Sequence, residues 1–367
     1  MSEDADGDDG RPAATDEVHS TAPDGDQHLG AVVEKPRAEV AIEQLRSEGV
    51  YDEERRVREF GSDTVALPVT EPPSETAVLN VVEVRADRRL RSLADHLADR
   101  GWTDDELDAA PGSWAVIGTV VLVDIGDAPR PEEVGEALLE LHGEADTVLA
   151  RGAISGAHRE PDVEVVAGSG DTETVHVEHG TKYALDLADV MFSPGNKAER
   201  ARMAEAVSEG ERVLDMFAGI GYFTLPMARA GASVTAVERN PASFRYLVEN
   251  VQLNDVTAQV QAYRADCRDV TADLSVERIV MGYYEASEPS EDGHGWRYLD
   301  HALDALESDG VVHMHEATPN GLVFERPIER LTAAAEARGR AVEILDTHRV
   351  KGYSEGVSHV VVDARVS

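Results

Sequence analysis

The run Arg212-Val-Leu-Asp-Met-Phe-Ala-Gly-Ile-Gly-Tyr-Phe-Thr224 constrains the fold more than any other part of this 367-residue chain. A short apolar segment ends in Asp215, a Gly-x-Gly turn follows at Gly219 and Gly221, and Thr224-Leu-Pro-Met-Ala-Arg-Ala starts a helix with Pro226 in its first turn. That order of strand, glycine loop and helix lets the backbone turn tightly and a ligand approach closely. Neither glycine carries a Cβ, and the first helical N–H groups have no partner within the helix. Many sharp strand-to-helix turns use glycine for geometry alone, so the loop by itself leaves a purely structural reading open.

The next segments narrow the choice. Ala232-Ser-Val-Thr-Ala-Val-Glu238 reads as a second strand ending in a carboxylate suited to a ribose diol, and Asn240-Pro241 starts another helix. A third strand over 259–265 ends at Asp266-Cys267, and a fourth over 277–281 ends at Gly282. In open α/β sheets ligands lie outside the carboxyl ends of the strands, so Asp215, Glu238 and Asp266 are expected on one edge of one site. The pattern D-x-x-x-G-x-G, with an acid at the next strand end, resembles class I S-adenosylmethionine (AdoMet) enzymes. A dinucleotide fingerprint expects a third glycine where Thr224 stands, which favours AdoMet over NAD. The expected fold is α/β: a Rossmann-like class I AdoMet-dependent methyltransferase domain preceded by smaller α/β domains.

Net charge is -38, from 72 acids against 34 bases. Charge alone argues against nucleic acid or an anionic membrane as a partner at low salt. The same excess, with few Lys among the bases and abundant Asp, Glu and Ala, fits a halophilic cytoplasm. At molar salt the Debye length is only about 3 Å, and long-range repulsion from a phosphate backbone is gone. The single Cys267 excludes an intramolecular disulfide and points to a reducing compartment. No secretory signal is visible, and the longest apolar run, residues 114–123, is too short to span a bilayer. A soluble, cytoplasmic protein is expected.

Residues 1–30, acidic and rich in Gly, Ala, Ser and Thr, read as a disordered solvating tail. Residues 31–73 read as a small N-terminal α/β domain that ends at the Pro72-Pro73 break. Residues 74–190 read as a middle α/β domain: a helix near 90–100, one buried strand over 114–123, a helix over 130–142, and short strands near 147, 163 and 174. Because short strands outnumber helices there, its sheet is expected to be mixed or antiparallel. The catalytic domain is assigned to residues 191–367, and no internal repeat is evident.

Phe192-Ser-Pro-Gly-Asn-Lys-Ala-Glu-Arg200 adds a further motif. Together with the Asp215 loop, Val237-Glu-Arg-Asn-Pro241, Arg349-Val-Lys-Gly-Tyr353 and His359-Val-Val-Val-Asp363, it resembles the Trm5/Tyw2 type of tRNA-modifying AdoMet enzymes over residues 31–367. The resemblance implies AdoMet as co-substrate and tRNA as partner, with no obligatory protein partner evident. One branch of that family methylates N1 of guanosine 37. The other transfers the 3-amino-3-carboxypropyl group of AdoMet to C7 of the tricyclic wyosine precursor at position 37 of phenylalanine tRNA, tRNA(Phe). The methylating branch is expected to carry Asn-x-Pro at the fourth strand end, where this chain reads Met281-Gly-Tyr-Tyr-Glu-Ala-Ser287. With Gly295-Trp296 and His313-Met-His-Glu316, the chain looks like the aminocarboxypropyl branch. Guanosine methylation is the nearer alternative, and tRNA or AdoMet binding without catalysis the more distant one.

The resemblance carries cofactor contacts to Ser193, Arg200, Glu238, Asp266 and Cys267, beside Asp215, Gly219 and Gly221 of the loop. Arg200 would clamp the methionine carboxylate, Glu238 would accept from ribose hydroxyls, Asp266 from the adenine amino group, and Ser193 would bond the amino-acid end. Gly195 stands where relatives often carry Arg. No general base is identifiable; Glu285 and His294 are candidates by position only. His313 and His315 alternate along a strand and with Glu316 form a weak metal candidate, but no further ligand cluster accompanies them and no metal is expected. Cys267 reads as a small buried or adenine-adjacent residue rather than a nucleophile. Arg349, Lys351 and His359 either touch tRNA phosphates or neutralise local acids, and Tyr283 and Tyr284 either stack on an extruded base or belong to the core.

Overall fold

The computed structural model describes residues 27–85, 87–155, 160–290 and 295–367. They form two compact units, one ending at Arg91 and the other starting at Ser92.

The first unit contains β1 (Gln27–Glu34), α1 (Ala38–Glu48), β2 (Arg58–Glu59), β3 (Thr64–Val69) and β4 (Asn80–Arg85). Its sheet has the order β2-β3-β1-β4 and is antiparallel throughout. Leu45 of α1 packs on the inward side chains Ala31, Val33 and Leu67. Two expectations are corrected here. Gln27 to Gly30, assigned to the tail, are strand, because Leu29 pairs with Val69 on one side and Glu83 on the other. Residues 80–85, assigned to the middle domain, complete this sheet beside β1, so Pro72-Pro73 marks a loop within the unit. Residues 1–26 lie outside the described residues.

The second unit opens with α2 (Leu93–Asp99), α3 (Asp104–Asp108), β5 (Trp114–Ile117), β6 (Val120–Val123), α4 (Pro131–Leu141), β7 (Thr147–Ser155) and β8 (Glu160–Gly168). Its first sheet, β5-β6-β7-β8, is mixed: β6 and β7 are parallel and joined by the crossover helix α4, and the outer pairs are antiparallel. The apolar run 114–123 is therefore a hairpin and not one strand. Gly118 turns it at φ +58, a conformation that a glycine adopts without strain. Ile117 and Val120 are both fully buried, so hydrophobicity continues across the turn and hides it.

The chain continues through β9 (Glu173–Glu178) and β10 (Thr181–Asp186), a two-stranded ribbon, and α5 (Lys197–Ala206). Then follow β11 (Arg212–Asp215), α6 (Thr224–Arg229), β12 (Ser233–Val237), α7 (Pro241–Leu253), β13 (Val260–Tyr263), α8 (Cys267–Thr271) and β14 (Val276–Met281). The chain ends with α9 (Leu299–Ala305), β15 (Leu306–Pro319), α10 (Glu325–Glu336), β16 (Val342–Ser354) and β17 (Val357–Val366). These strands make one seven-stranded sheet, β13-β12-β11-β14-β15-β17-β16. The first five are parallel; β17 is antiparallel to both of its neighbours. The chain leaves β11 toward β12 and β13 and returns on the other side with β14, so the glycine loop after β11 lies at the switch point where such sheets bind ligands.

Buried polar contacts fasten the ribbon to the elements around the glycine loop. Fully buried Asn250 of α7 donates to the carbonyls of Ala184 and Ile220 at 3.0 Å each and accepts from Ala184 N–H at 2.6 Å, fastening β10 to the glycine loop. Glu178 of β9 takes the Arg200 guanidinium of α5 in a fork, Nε to Oε2 at 2.6 Å and Nη2 to Oε1 at 2.8 Å, with both side chains 3% exposed.

Burial pushes the Glu178 carboxyl up, but the hydrogen bonds from His176 and Arg200 and the Arg200 charge outweigh it and bring it down to about 2. A carboxyl lowered in the folded state contributes stability that is present above its unfolded value, about 4.5, and lost as pH falls toward 2. The denaturant midpoint is therefore expected to drop as pH falls below about 4.5. Glu178→Gln should flatten that part of the profile and, by leaving the Arg200 charge buried without its partner, cost about 3–5 kcal/mol at pH 7. An unchanged profile in the variant would remove this pair from the acid response.

Candidate active site

The carboxyl ends of β11 to β14 open on a cavity of about 840 Å³. Ser193, Arg200, Gly219, Glu238, Asp266 and Cys267 all line it; Asp215 and Gly221 do not. Asp215 is fully buried and works as a staple. Its Oδ2 accepts from the Thr224 hydroxyl at 2.7 Å and its Oδ1 from Phe217 N–H at 3.4 Å, joining the end of β11 to the start of α6, while burial raises its carboxyl to about 6. Gly221 shapes the loop from behind: it has φ +102, and a Cβ there would lie 2.8 Å from Leu225 Cγ.

Gly219 faces the cavity at φ +57, where a Cβ would meet the Tyr222 ring at 2.3 Å. Its N–H donates to Glu238 Oε2 at 2.8 Å, and Asn240 N–H donates to Oε1 at 2.6 Å. The acid that closes β12 thus grips the loop that follows β11. Burial raises the Glu238 carboxyl, and the backbone N–H bonds oppose that rise. The helix after the loop is only six residues long, so the close approach is provided by the loop itself.

Asp266 caps α8 through Arg268 N–H at 3.0 Å, and the Arg268 guanidinium forks onto its carboxylate at 2.9 and 2.8 Å, which lowers its pKa. Both of its oxygens are already engaged by Arg268. Cys267 is buried and its thiol is pushed up to about 12, so it supplies no thiolate.

Arg200 departs most from its expected role. Glu178 holds Nε and Nη2, and Nη1 donates to the Ser193 carbonyl at 3.0 Å, so the guanidinium is anchored to protein and steadies the Ser193 turn. A second cation stands at that turn. Lys351 Nζ donates to Ser193 Oγ, and a Cβ on Gly195 would lie 3.2 Å from Lys351 Cδ. The chain has four lysines, and this one, from β16, occupies the space that a side chain at 195 would need. The three C-terminal residues grouped by sequence therefore separate. Lys351 lines the cavity, Arg349 is exposed and outside it, and His359 is fully buried against His315.

At the end of β14, Gly282, Tyr283 and Tyr284 all line the cavity. Tyr283 packs on Phe217 and Tyr298, with ring centroids 5.3 and 6.2 Å away, and its hydroxyl donates to Glu285 at 2.6 Å. Tyr284 stands against His359 at 4.5 Å and Tyr353 at 5.3 Å. Both tyrosines are half-buried walls rather than core. Glu285 is exposed and outside the lining, and His294 lies outside the described residues. Strand alternation rules out the metal grouping: His313 and His315 share one face of β15, where His313 bonds Asp363 at 2.7 Å. Glu316 points the other way, to Arg326 at 2.6 Å and Arg330 at 3.3 Å. Among the described residues no group of three His, Cys, Asp or Glu is placed to hold a metal ion. Sequence reasoning singled out Lys351 and His315 without placing them in the cavity, and gave Tyr353 no role; the local signal was the i, i+2 spacing of Lys351 and Tyr353 along β16.

Residues 174–345 match the family described as the TRM5/TYW2 methyltransferase domain, and residues 93–172 the TYW2 N-terminal domain. The chain is 40% identical over 259 residues to the tRNA(Phe) (4-demethylwyosine(37)-C(7)) aminocarboxypropyltransferase of Pyrococcus horikoshii, covering 70% of this chain and 90% of that one. It is 29% identical over 343 residues to the tRNA (guanine(37)-N(1))-methyltransferase Trm5b of Pyrococcus abyssi, covering 92% and 99%. The crystal structure of P. horikoshii TYW2 in complex with MeSAdo matches with a TM-score of 0.62 at 35% identity, over 74% of this chain and 97% of that one. The fold is the class I AdoMet-dependent methyltransferase fold that the strand order displays, and the chain belongs to the TRM5/TYW2 family.

Proposed function

We propose that this protein transfers the 3-amino-3-carboxypropyl group of AdoMet to C7 of 4-demethylwyosine at position 37 of tRNA(Phe), releasing 5'-methylthioadenosine. The observation that carries the reading is the end of β14, where a glycine and two cavity-facing tyrosines stand in place of the amide-bearing Asn-x-Pro expected for guanine methylation. The 40% identity to an enzyme named for this transfer supports it. The Phe223 ring lies 3.2 Å from where a Cβ on Gly282 would be, so the glycine itself leaves no room for a tricyclic base. Room for a tricyclic base is instead bounded by the aromatic walls of Tyr283 and Tyr284.

AdoMet supplies a sulfonium that activates each of its three attached carbons, so orientation decides which group leaves. Glu238 would hold the ribose hydroxyls. The Ser193 turn, with the Lys351 ammonium beside it, would hold the carboxylate of the amino-acid arm, and the Glu178-bound Arg200 fixes that turn from behind. Asp266 and Cys267 would border the adenine. Residues 191–367 would carry the chemistry.

Local charge supports the tRNA assignment. Among the described residues the cavity is lined by five basic side chains, Arg151, Arg200, Arg239, Arg297 and Lys351, against the three carboxylates Asp124, Glu238 and Asp266. The whole chain carries 34 bases against 72 acids, so the balance reverses at the site. A cytoplasmic, halophilic setting reconciles the acidic exterior with an RNA substrate. No described helix is long and apolar enough to cross a membrane.

Three outcomes test these assignments. A hydrogen bond to a charged acceptor is worth about 1.5–3 kcal/mol, so Glu238→Ala should weaken AdoMet binding about ten- to a hundredfold by titration calorimetry. Unchanged affinity in a folded variant would remove Glu238 from the ribose. Chromatography of a reaction with precursor tRNA should show 5'-methylthioadenosine as the by-product, whereas predominant S-adenosylhomocysteine would return the protein to the methyltransferases. Affinity for tRNA should rise over part of the range from low to molar salt, against the usual fall from counterion release. A steady fall while the protein stays folded would sink the halophilic reading.

A further inference from the structure

A row of polar side chains, buried along its middle, leads away from the cavity between the end of β14 and the C-terminal strands. Tyr284 Oη lies 3.3 Å from His359 Nδ1, and His359 Nε2 lies 2.9 Å from His315 Nδ1. His315 Nε2 is buried without a hydrogen-bond partner, 3.9 Å from Glu199 Oε1. Glu199 Oε2 accepts from His348 Nε2 at 2.8 Å, and the His348 side chain is 28% exposed. The row therefore runs from a cavity wall to the surface, and Tyr284 and His315 both line the cavity.

The row also has a direction. A carboxylate faces His315 Nε2, so the proton of that ring belongs on Nε2 and not on a lone pair turned toward an anion. Nδ1 of His315 is then an acceptor, His359 must donate from Nε2, and His359 Nδ1 must accept from the Tyr284 hydroxyl. Every donor points from the cavity toward Glu199. Burial lowers His315 to about 4 and His359 further still, which keeps both rings neutral and able to pass a proton along. The Glu199 carboxylate is ionised: burial opposes this, but the bonds from Arg202 at 2.5 and 3.1 Å prevail. A buried N–H left without a bonded acceptor is destabilising, so stability does not account for the arrangement at His315.

We propose that Tyr284, His359, His315 and Glu199 form the path by which the proton displaced from the acceptor carbon leaves the site. The proposal rests on the aminocarboxypropyl reading above. As the bond from C7 to the methylene of the arm forms, the C–S bond breaks and its electron pair stays on sulfur as a neutral thioether. The ring must then lose the proton on C7, with the C–H pair returning to the ring to restore its aromaticity. Tyr284 Oη takes that proton as its own passes to His359 Nδ1. The Nε2 proton of His359 passes to His315 Nδ1, and that of His315 Nε2 to the Glu199 carboxylate, which takes it up as the neutral acid beside His348. Tyr284 is the catalytic residue; the two histidines and Glu199 act through it.

The test uses precursor tRNA carrying hydrogen or deuterium at C7, with wild type, Tyr284→Phe and His359→Asn. Wild type should show no isotope effect on turnover. Both variants should lose about a hundredfold or more in kcat, the scale of general base catalysis, and acquire a primary isotope effect while AdoMet affinity stays within twofold. Unchanged kcat in Tyr284→Phe, or slowed turnover without an isotope effect in both variants, would overturn the path. A readout independent of turnover is the nitrogen-15 spectrum of the substrate-free protein, in which both rings should carry their proton on Nε2. A proton on Nδ1 of either ring would overturn the direction. Wild-type release of S-adenosylhomocysteine would instead overturn the group-transfer reading, on which the tautomer spectra do not depend, so the two failures are told apart.

Discussion

The hydrogen bond from Gly219 N–H to the Glu238 carboxylate is the contact on which the site depends. It joins the loop after β11 to the end of β12, its neighbour in the sheet, and it requires a residue at positive φ whose Cβ position is already filled by the Tyr222 ring. Asp215 holds the far end of the loop through Thr224, and Asn250 holds its middle through the Ile220 carbonyl. Three buried or half-buried side chains from three elements thus leave the loop one conformation. A cavity built on such a loop needs little reordering when a ligand arrives, which is where preorganised sites save binding energy.

Arginine rather than lysine organises the acids of the interior. Glu178 pairs with Arg200, Glu199 and Asp363 share Arg202, and Glu316 lies between Arg326 and Arg330. The planar guanidinium satisfies two carboxylate oxygens at once and fixes the geometry of both partners. Buried ion pairs of this kind add little net stability over a well-packed apolar core, but breaking one is costly, so they specify position more than they strengthen the fold. The acidic surplus is left to the remaining surface, while the cavity lining turns basic.

The two C-terminal strands give the sheet its particular chemistry. β16 and β17 extend five parallel strands with an antiparallel pair, and from them Lys351 and Tyr353 reach the cavity while His359 stands behind Tyr284. The parallel strands supply the AdoMet-type loop and its acids. The antiparallel ones supply the cavity walls that surround the end of β14.

Local order in the chain was enough to reveal the parallel sheet, the glycine loop and the acids at successive strand ends, and left the middle sheet as mixed or antiparallel, of which it is the former. Each is a pattern of a few neighbouring residues whose backbone geometry follows from their own chemistry. Glu238 could be placed from sequence because a residue at the end of a parallel strand faces the ligand edge whatever lies across from it. Arg200, Lys351, His315 and His359 could not. Arg200 was expected to hold a carboxylate of the ligand and instead holds Glu178, 22 residues earlier in the chain; Lys351 meets Ser193 across 158 residues. His315 meets His359 only because β15 and β17 pair with His315 opposite Val361 and Ala317 opposite His359, a register that sets the two rings diagonally on one face. The hairpin at Gly118 and the strand at 80–85 escaped for the same reason, since apolar character states that a segment is buried but not against which neighbour. Sequence by itself determined which backbone elements form and where ligand-facing strand ends lie; only the tertiary structure decided which charged and aromatic side chains meet, because pairing across a sheet is set by long-range register that no local pattern encodes.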